Sequence, residues 1–124
     1  MQQLMIKVIA MLKRKSNITS EEFSKYWFEK HGPLAMKLQP SSITAGIKSY
    51  IQNHAIKLGK AEPPYDAVAE TIFFDSDCFW KWNNWYFSEA GKPLRDDEEN
   101  FMDTNKRVIV ITDERVVLNN SKQE

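Results

Sequence analysis

The sequence predicts an α+β domain with the element order β-α-β-β-α-β, four strands of one antiparallel sheet with two principal helices. Three observations predict it. Four runs rich in β-branched and apolar residues, 5–12, 47–56, 67–74 and 107–118, punctuate the chain. One amphipathic helical stretch separates the first run from the second, and another separates the third from the fourth. The length, 124 residues, suits a single domain with one core, and no repeat, low-complexity tract or linker divides it.

The first strand is Met5 to Leu12. Ile6, Val8, Ala10 and Leu12 fall on one face and Met5, Ile9 and Met11 on the other, so both faces are apolar. After the basic turn KRKSN, Thr19 and Glu22 have capping-box spacing, with Ile18 and Phe23 at staple positions, so a helix starts at Thr19 or Ser20. Its apolar stripe runs through Phe23, Tyr26 or Trp27, His31, Leu34 and Leu38. Pro33 removes a donor and disfavours helical geometry at Gly32, which predicts a kink or break near 31–33.

The second strand, 47–56, alternates Ile47, Ser49 and Ile51 against Tyr50, Gln52 and His54. LGKAEPPYD forms a loop, and 67–74 (AVAETIFF) is the third strand. Asp75 or Ser76 caps a second helix containing FWKWNNWYF, in which Phe79, Trp82 and Tyr86 share one meridian. Gly91 and Pro93 end it, and PLRDDEENFMD follows as a helical segment docking through Leu94 and Phe101. Residues 107–118 form the last strand, bent at Asp113, and 119–124 form a fraying tail.

This order is the split βαβ, or ferredoxin-like, arrangement, whose helices cover one face of the sheet. The first and last strands are apolar on both faces, in the last Val108 and Val110 against Ile109 and Ile111, and a monomer would expose that second surface. A homodimer packed sheet to sheet is therefore expected.

Lysine plus arginine equals aspartate plus glutamate, 17 each, so nothing draws the chain to nucleic acid or an anionic membrane. The single cysteine, Cys78, excludes an internal disulfide, and no Cys/His spacing resembles a zinc site. The N-terminal apolar run is interrupted by Lys7 and Lys13 and has no basic leader or cleavage pattern. A cytoplasmic setting is expected. No phosphate-binding glycine loop or G-x-S-x-G elbow occurs, which removes nucleotide-dependent and serine-hydrolase chemistry and leaves no cofactor or metal indicated.

Several of these residues resemble a known pattern. The basic turn, the helix EEFSKYWFEKHGPLA, then PYDAVAETIFF and the closing RVIVITDERVVL are similar to the EthD family of dimeric α+β barrel proteins, over roughly Met5 to Leu118. The most specific part is Phe23, Tyr26-Trp27, His31 and Pro33-Leu34, followed by Tyr65-Asp66 leading to Glu70. The chain departs from the usual pattern at Ala67, often glycine, and in its tryptophan-rich second helix. The resemblance implies two sheets joined into a barrel and a pocket between sheet and helices in each protomer. Relatives on this scaffold include cofactor-free monooxygenases, muconolactone-type isomerases, polyketide cyclases, dehydratases and haem-degrading enzymes, so the scaffold does not itself name a reaction.

His31 is the leading catalytic candidate, because imidazole titrates near neutral pH and this one leaves the sheet-facing side of its helix. Its alternatives are a packed core histidine or a group complementing the helix end. Tyr50 or Tyr26 is the candidate hydrogen-bond donor to a substrate, with Trp27 and His54 as further substrate-binding residues, although an exposed strand end suits His54 as well. Glu70, in the middle of a strand, must be paired if buried, with a basic side chain or with His31; otherwise it lies on a wet rim. Thr71 faces the other way, and Cys78 has no basic neighbour to activate it. These residues suit proton transfer to or from an enolisable, lactone, phenolic or polyketide-like molecule in an apolar pocket, as in isomerisation, dehydration, cyclisation or cofactor-free oxygenation. The alternatives are a barrel that holds haem or another small hydrophobic molecule without turnover, and an interaction module using exposed Trp80 and Trp85.

Overall fold

The computed structural model describes residues 4–121. Its strands are β1 (Ile6–Leu12), β2 (Ile47–His54), β3 (Ala67–Phe73) and β4 (Val108–Thr112), in the spatial order β2-β3-β1-β4. Every neighbouring pair is antiparallel, which is the ferredoxin-like arrangement. The helices are α1 (Ser20–Tyr26), α2 (Gly32–Leu38), α3 (Ser41–Thr44), α4 (Ser76–Tyr86) and α5 (Lys92–Glu98). Residues 122–124 of the expected fraying tail lie outside the described residues.

The capping box forms as its spacing requires. Thr19 Oγ1 accepts from the Glu22 amide at 3.1 Å, and Glu22 Oε1 accepts from the Thr19 amide at 2.8 Å. Asp75 caps α4 by accepting from the Cys78 amide at 2.9 Å. At Pro33 the chain does not break. Trp27–His31 widens into a π-turn in which the Gly32 amide donates to the Trp27 carbonyl, and Pro33 opens α2, where its missing donor costs little. The kink expected at 31–33 is thus replaced by one wide turn.

Phe23, Trp27, Leu12, Ala67, Phe101 and Met102 form the main core, and Ala35, Trp85, Tyr86 and Leu94 a second cluster under α4 and α5. Trp27, Phe23, Phe73 and Phe101 are the largest fully buried side chains. Burying each is worth roughly 1.5–3 kcal/mol relative to exposure.

The registers assign each face of the sheet. On the helix side, Val8 pairs Thr71 and Ile111, Ala10 pairs Ala69 and Ile109, and Tyr50 and Gln52 extend these rows. On the other side, Ile51, Glu70, Ile9 and Val110 form one row, and Asn53, Val68, Met11 and Val108 the next. These second-face residues are half-buried or exposed in the protomer, Val110 at 45%. Ile47 does not follow the expected alternation: a register shift between Ile47 and Ser49 sets it opposite Phe73, on the same side as Tyr50.

The last strand is shorter than expected. Thr112 pairs Lys7, and β1 itself begins at Ile6, so the ladder runs out of partner beyond Thr112. Residues after it leave the sheet, and Glu114 turns back to Lys7 Nζ at 2.5 Å.

Candidate functional site

A cavity of about 280 Å³ lies between the helix side of the sheet and the helices. Val8, Ala10, Leu12, Ala69 and Thr71 floor it, and Trp27, Phe79, Trp82 and Tyr86 wall it. The Phe79-Trp82-Tyr86 meridian of the tryptophan-rich helix therefore faces inward, with Trp82 and Tyr86 stacked at 5.0 Å. Ile109 and Ile111 also line the cavity yet remain exposed, so it opens along β4. Into this apolar space come His31, Tyr50, Glu98 and Arg107.

His31 is only 6% exposed and packs on Phe101, ring centroids 5.0 Å apart. Its Nδ1 lies 2.8 Å from Asp97 Oδ2. Asp97 also accepts from Tyr26 Oη at 2.5 Å and Asn100 Nδ2 at 3.1 Å. Burial pushes the Asp97 carboxyl up, but the hydrogen bonds from Tyr26, His31 and Asn100 outweigh it and hold the group below the usual aspartate value. An ionised Asp97 can only accept, so Nδ1 of His31 carries a proton, and Nε2, which has no protein partner among the described residues, is the nitrogen left for the cavity.

Tyr50 is set by a chain of donors. The Trp27 carbonyl can only accept, so the Gln52 atom 3.0 Å from it is the amide nitrogen, which also donates to Tyr50 Oη at 3.0 Å. Gln52 Oε1 then accepts from His54 Nε2 at 3.0 Å, and His54 Nδ1 accepts from the Ser24 hydroxyl. Burial lowers the His54 pKa, in keeping with this neutral tautomer. Burial also pushes the Tyr50 phenol up, so it keeps its proton, and because its oxygen already accepts from Gln52, the O–H is left to donate.

Three placements differ from the sequence expectations. Tyr26 does not line the cavity; it packs on Phe101 at 5.0 Å and donates to Asp97, because its position on α1 faces α5 rather than the sheet. His54 sits behind Tyr50, packed at a tilt on Trp27 with ring centroids 4.7 Å apart and opening onto a shallow outer groove with Phe28, Pro33 and Met36. Glu70 is on the opposite face of the sheet, since β-strand alternation puts it back to back with cavity-lining Ala69 and Thr71. There it accepts from Lys7 at 2.6 Å and Asn53 at 2.7 Å, and these two, Lys7 first, hold its pKa below the usual value. The basic partner expected for a buried Glu70 is Lys7, and the carboxylate that orients His31 is Asp97. Trp27 and Tyr50 do line the cavity. Cys78 is half-buried, and its hydrogen bond with Asp75 pushes its thiol pKa up.

Sequence reasoning did not single out Asp97, Glu98 or Arg107. Asp97 and Glu98 are neighbours on α5 and serve different groups. Glu98 Oε1 accepts from Tyr86 Oη at 2.5 Å and Arg107 Nη1 at 3.1 Å, and burial together with Glu98 pushes the Tyr86 phenol up to about 12. The available signal was the acidic run DDEE inside a segment with two docking apolar residues, which forces some carboxylates toward the core side. Among the described residues, no cluster of three or more His, Cys, Asp or Glu side chains could hold a metal ion, and no helix is long and apolar enough to cross a membrane.

The fold is thus a ferredoxin-like α+β protomer with an apolar cavity between sheet and helices and a histidine–aspartate pair at its wall. The chain belongs to the EthD family, whose domain model matches residues 15–105. Its fold is similar to that of an ethyl tert-butyl ether D (EthD) family protein from Bacillus halodurans, with TM-score 0.65, 18% identity, and coverage of 90% of this chain and 100% of that one. It is also similar to a dimeric ferredoxin-like protein of unknown function from Thermobifida fusca, with TM-score 0.60, 18% identity, and coverage of 91% and 93%. A third similar structure is the hydroxynitrile lyase of Passiflora edulis, with TM-score 0.62, 12% identity, and coverage of 94% and 98%. No curated protein sequence matches the chain.

Proposed function

We propose that this protein is a small-molecule enzyme in which His31 moves a proton to or from a hydrophobic or aromatic substrate held in the cavity. The observation that carries the reading is the His31–Asp97 pair at 2.8 Å, because it leaves Nε2 unoccupied beside an apolar space. In the step envisaged, Nε2 takes a proton from a carbon next to a carbonyl. The C–H bond breaks, an N–H bond forms, and the electron pair moves onto the carbonyl oxygen as an enolate. Tyr50 O–H donates to that oxygen, and Asp97 stabilises the imidazolium. Return of the proton to another position, or loss of a leaving group, gives isomerisation, dehydration, cyclisation or lyase chemistry. The hydroxynitrile lyase fold relative from Passiflora edulis is consistent with an enzyme of this kind. Trp27 and Tyr50 contact the substrate, while Tyr26 and His54 act through Asp97 and Gln52.

The working form in this reading is a homodimer joined through the second face of the sheet. The row Ile51-Glu70-Ile9-Val110 supplies apolar area around the Lys7–Glu70 ion pair, and the Thermobifida fusca relative is described as dimeric.

The test is α-proton exchange of 2-tetralone in deuterated buffer, followed by proton NMR. The expected result is acceleration by the wild type and none by His31→Asn. Exchange undiminished in His31→Asn overturns the role of His31, and binding without any exchange supports a ligand-binding barrel instead.

A further inference from the structure

The cavity has a second polar pole that the proton-transfer reading does not use. Glu98 is 7% exposed, and its Oε1 takes both hydrogen bonds from protein, one from Tyr86 at 2.5 Å and one from Arg107 at 3.1 Å. Among the described residues Oε2 has none, although Glu98 and both its partners line the cavity. No buried side-chain oxygen or nitrogen lacks a partner among the described residues, so Oε2, which takes no protein hydrogen bond, keeps surface open to the cavity that Glu98 lines. Oε2 is thus an acceptor position held at the cavity surface and open to a bound molecule.

The geometry points to Glu98 as the acceptor for a substrate hydroxyl, so that the cavity selects small apolar molecules carrying a phenolic, enolic or alcoholic O–H. Three features narrow the choice of group. Arg107 pairs with Glu98 at 3.1 Å within the same cluster, so the guanidinium does not give the pole a net positive charge. A substrate carboxylate would set its own negative charge against Oε2 and so is disfavoured, and an ether presents no proton to give. Tyr86 and Arg107 both act on Oε1 and so fix the rotation of the carboxylate, leaving Oε2 as the open position. Glu98 is a specificity residue here, and no proton need leave the substrate at this pole. The arrangement would hold the hydroxyl while His31 works at a different carbon.

This inference rests on the cavity being the substrate site, and binding separates it from the proton-transfer reading. Isothermal titration at neutral pH is run with 2-naphthol, 2-methoxynaphthalene, naphthalene and 2-naphthoate. The wild type is expected to bind 2-naphthol at least tenfold more tightly than the other three, the size of effect a hydrogen bond to a buried charge provides. Glu98→Gln should reduce the preference over 2-methoxynaphthalene to threefold or less. The double variant Glu98→Leu with Arg107→Leu, which removes the pair together and leaves neither charge stranded, should do the same if Glu98→Gln fails to fold. His31→Asn should lose proton exchange on 2-tetralone and keep the hydroxyl preference. The proposal is overturned if 2-naphthoate binds as well as 2-naphthol, if none of the four probes binds, or if the preference survives Glu98→Gln or the double variant. Loss of the preference in His31→Asn with retention in Glu98→Gln also overturns it, by assigning the hydroxyl to His31.

Discussion

Asp97 Oδ2 lies 2.8 Å from His31 Nδ1, a contact between residues 66 positions apart in the chain. It sets the tautomer of the imidazole and therefore which nitrogen is basic on the cavity side. Tyr26 and Asn100 hold the same carboxylate, so its position does not depend on His31 alone.

Replacing His31 by Asn is expected to lower the rate of proton exchange by about 10²–10⁴-fold, the usual worth of a positioned general base. Asp97→Asn should keep the fold and lower kcat by a smaller factor, about 10- to 100-fold, with KM little changed, because it disturbs orientation and not binding. Steady-state kinetics on any substrate identified, or the exchange assay, separates the two. Equal KM and kcat effects in Asp97→Asn would instead mark a structural role.

Tyr86 predicts an alkaline limit to stability. Its phenol is pushed up to about 12 in the folded protein, by burial first and then by Glu98, against about 10 in an unfolded chain. The folded value is the higher one, so this contribution is fully present below about pH 10 and is lost as pH rises from about 10 to about 12. Thermal melts at pH 9 and pH 11 should show a drop in midpoint that is smaller in Tyr86→Phe.

The second sheet face predicts a dimer sensitive to charge. Val110 is 45% exposed in the protomer and sits beside Ile9 in the row that would meet a partner. Sedimentation of the wild type should give twice the 14.5 kDa protomer mass at micromolar concentration. Val110→Asp should give the protomer mass with the far-ultraviolet circular dichroism unchanged, because a charge buried between sheets has no partner there. A monomeric wild type would leave the apolar row uncovered and remove the dimer.

Gly91 joins the two helices that carry Tyr86 and Glu98. A Cβ at this position would stand 2.4 Å from the Trp85 carbonyl oxygen and 2.5 Å from that of Tyr86, both backbone atoms that cannot swing away. Gly91→Ala should therefore destabilise by about 1–3 kcal/mol through forced backbone movement. Urea unfolding checks this. The hydroxyl preference of the cavity should weaken with it, since α4 and α5 must separate.

The strands and helices were legible because their signals are local. Thr19 and Glu22 announce a helix start within four residues, and the alternation in 5–12 assigns two faces to β1 without reference to anything distant. The apolar first and last strands likewise pointed to a second covering surface. The end of β4 was not legible, because it depends on where β1 begins, and the shift at Ile47 depends on how β2 meets β3.

For the site, the sequence by itself indicated that His31 lies one turn from Trp27 on the sheet-facing side of its helix, that Tyr50 shares a strand face with Gln52 and His54, and that Phe79, Trp82 and Tyr86 form one face. Only the tertiary structure decided which acid serves which group. Glu70 and Asp97 are both carboxylates at plausible positions, but strand alternation sends Glu70 to Lys7 on the far face, whereas α5, crossing beside the π-turn, brings Asp97 to His31 and Glu98 to Arg107. Spacing along one element fixes which side chains share a face. Which faces meet is set by how separate elements pack, and a charged side chain takes the partner that packing places within hydrogen-bond reach.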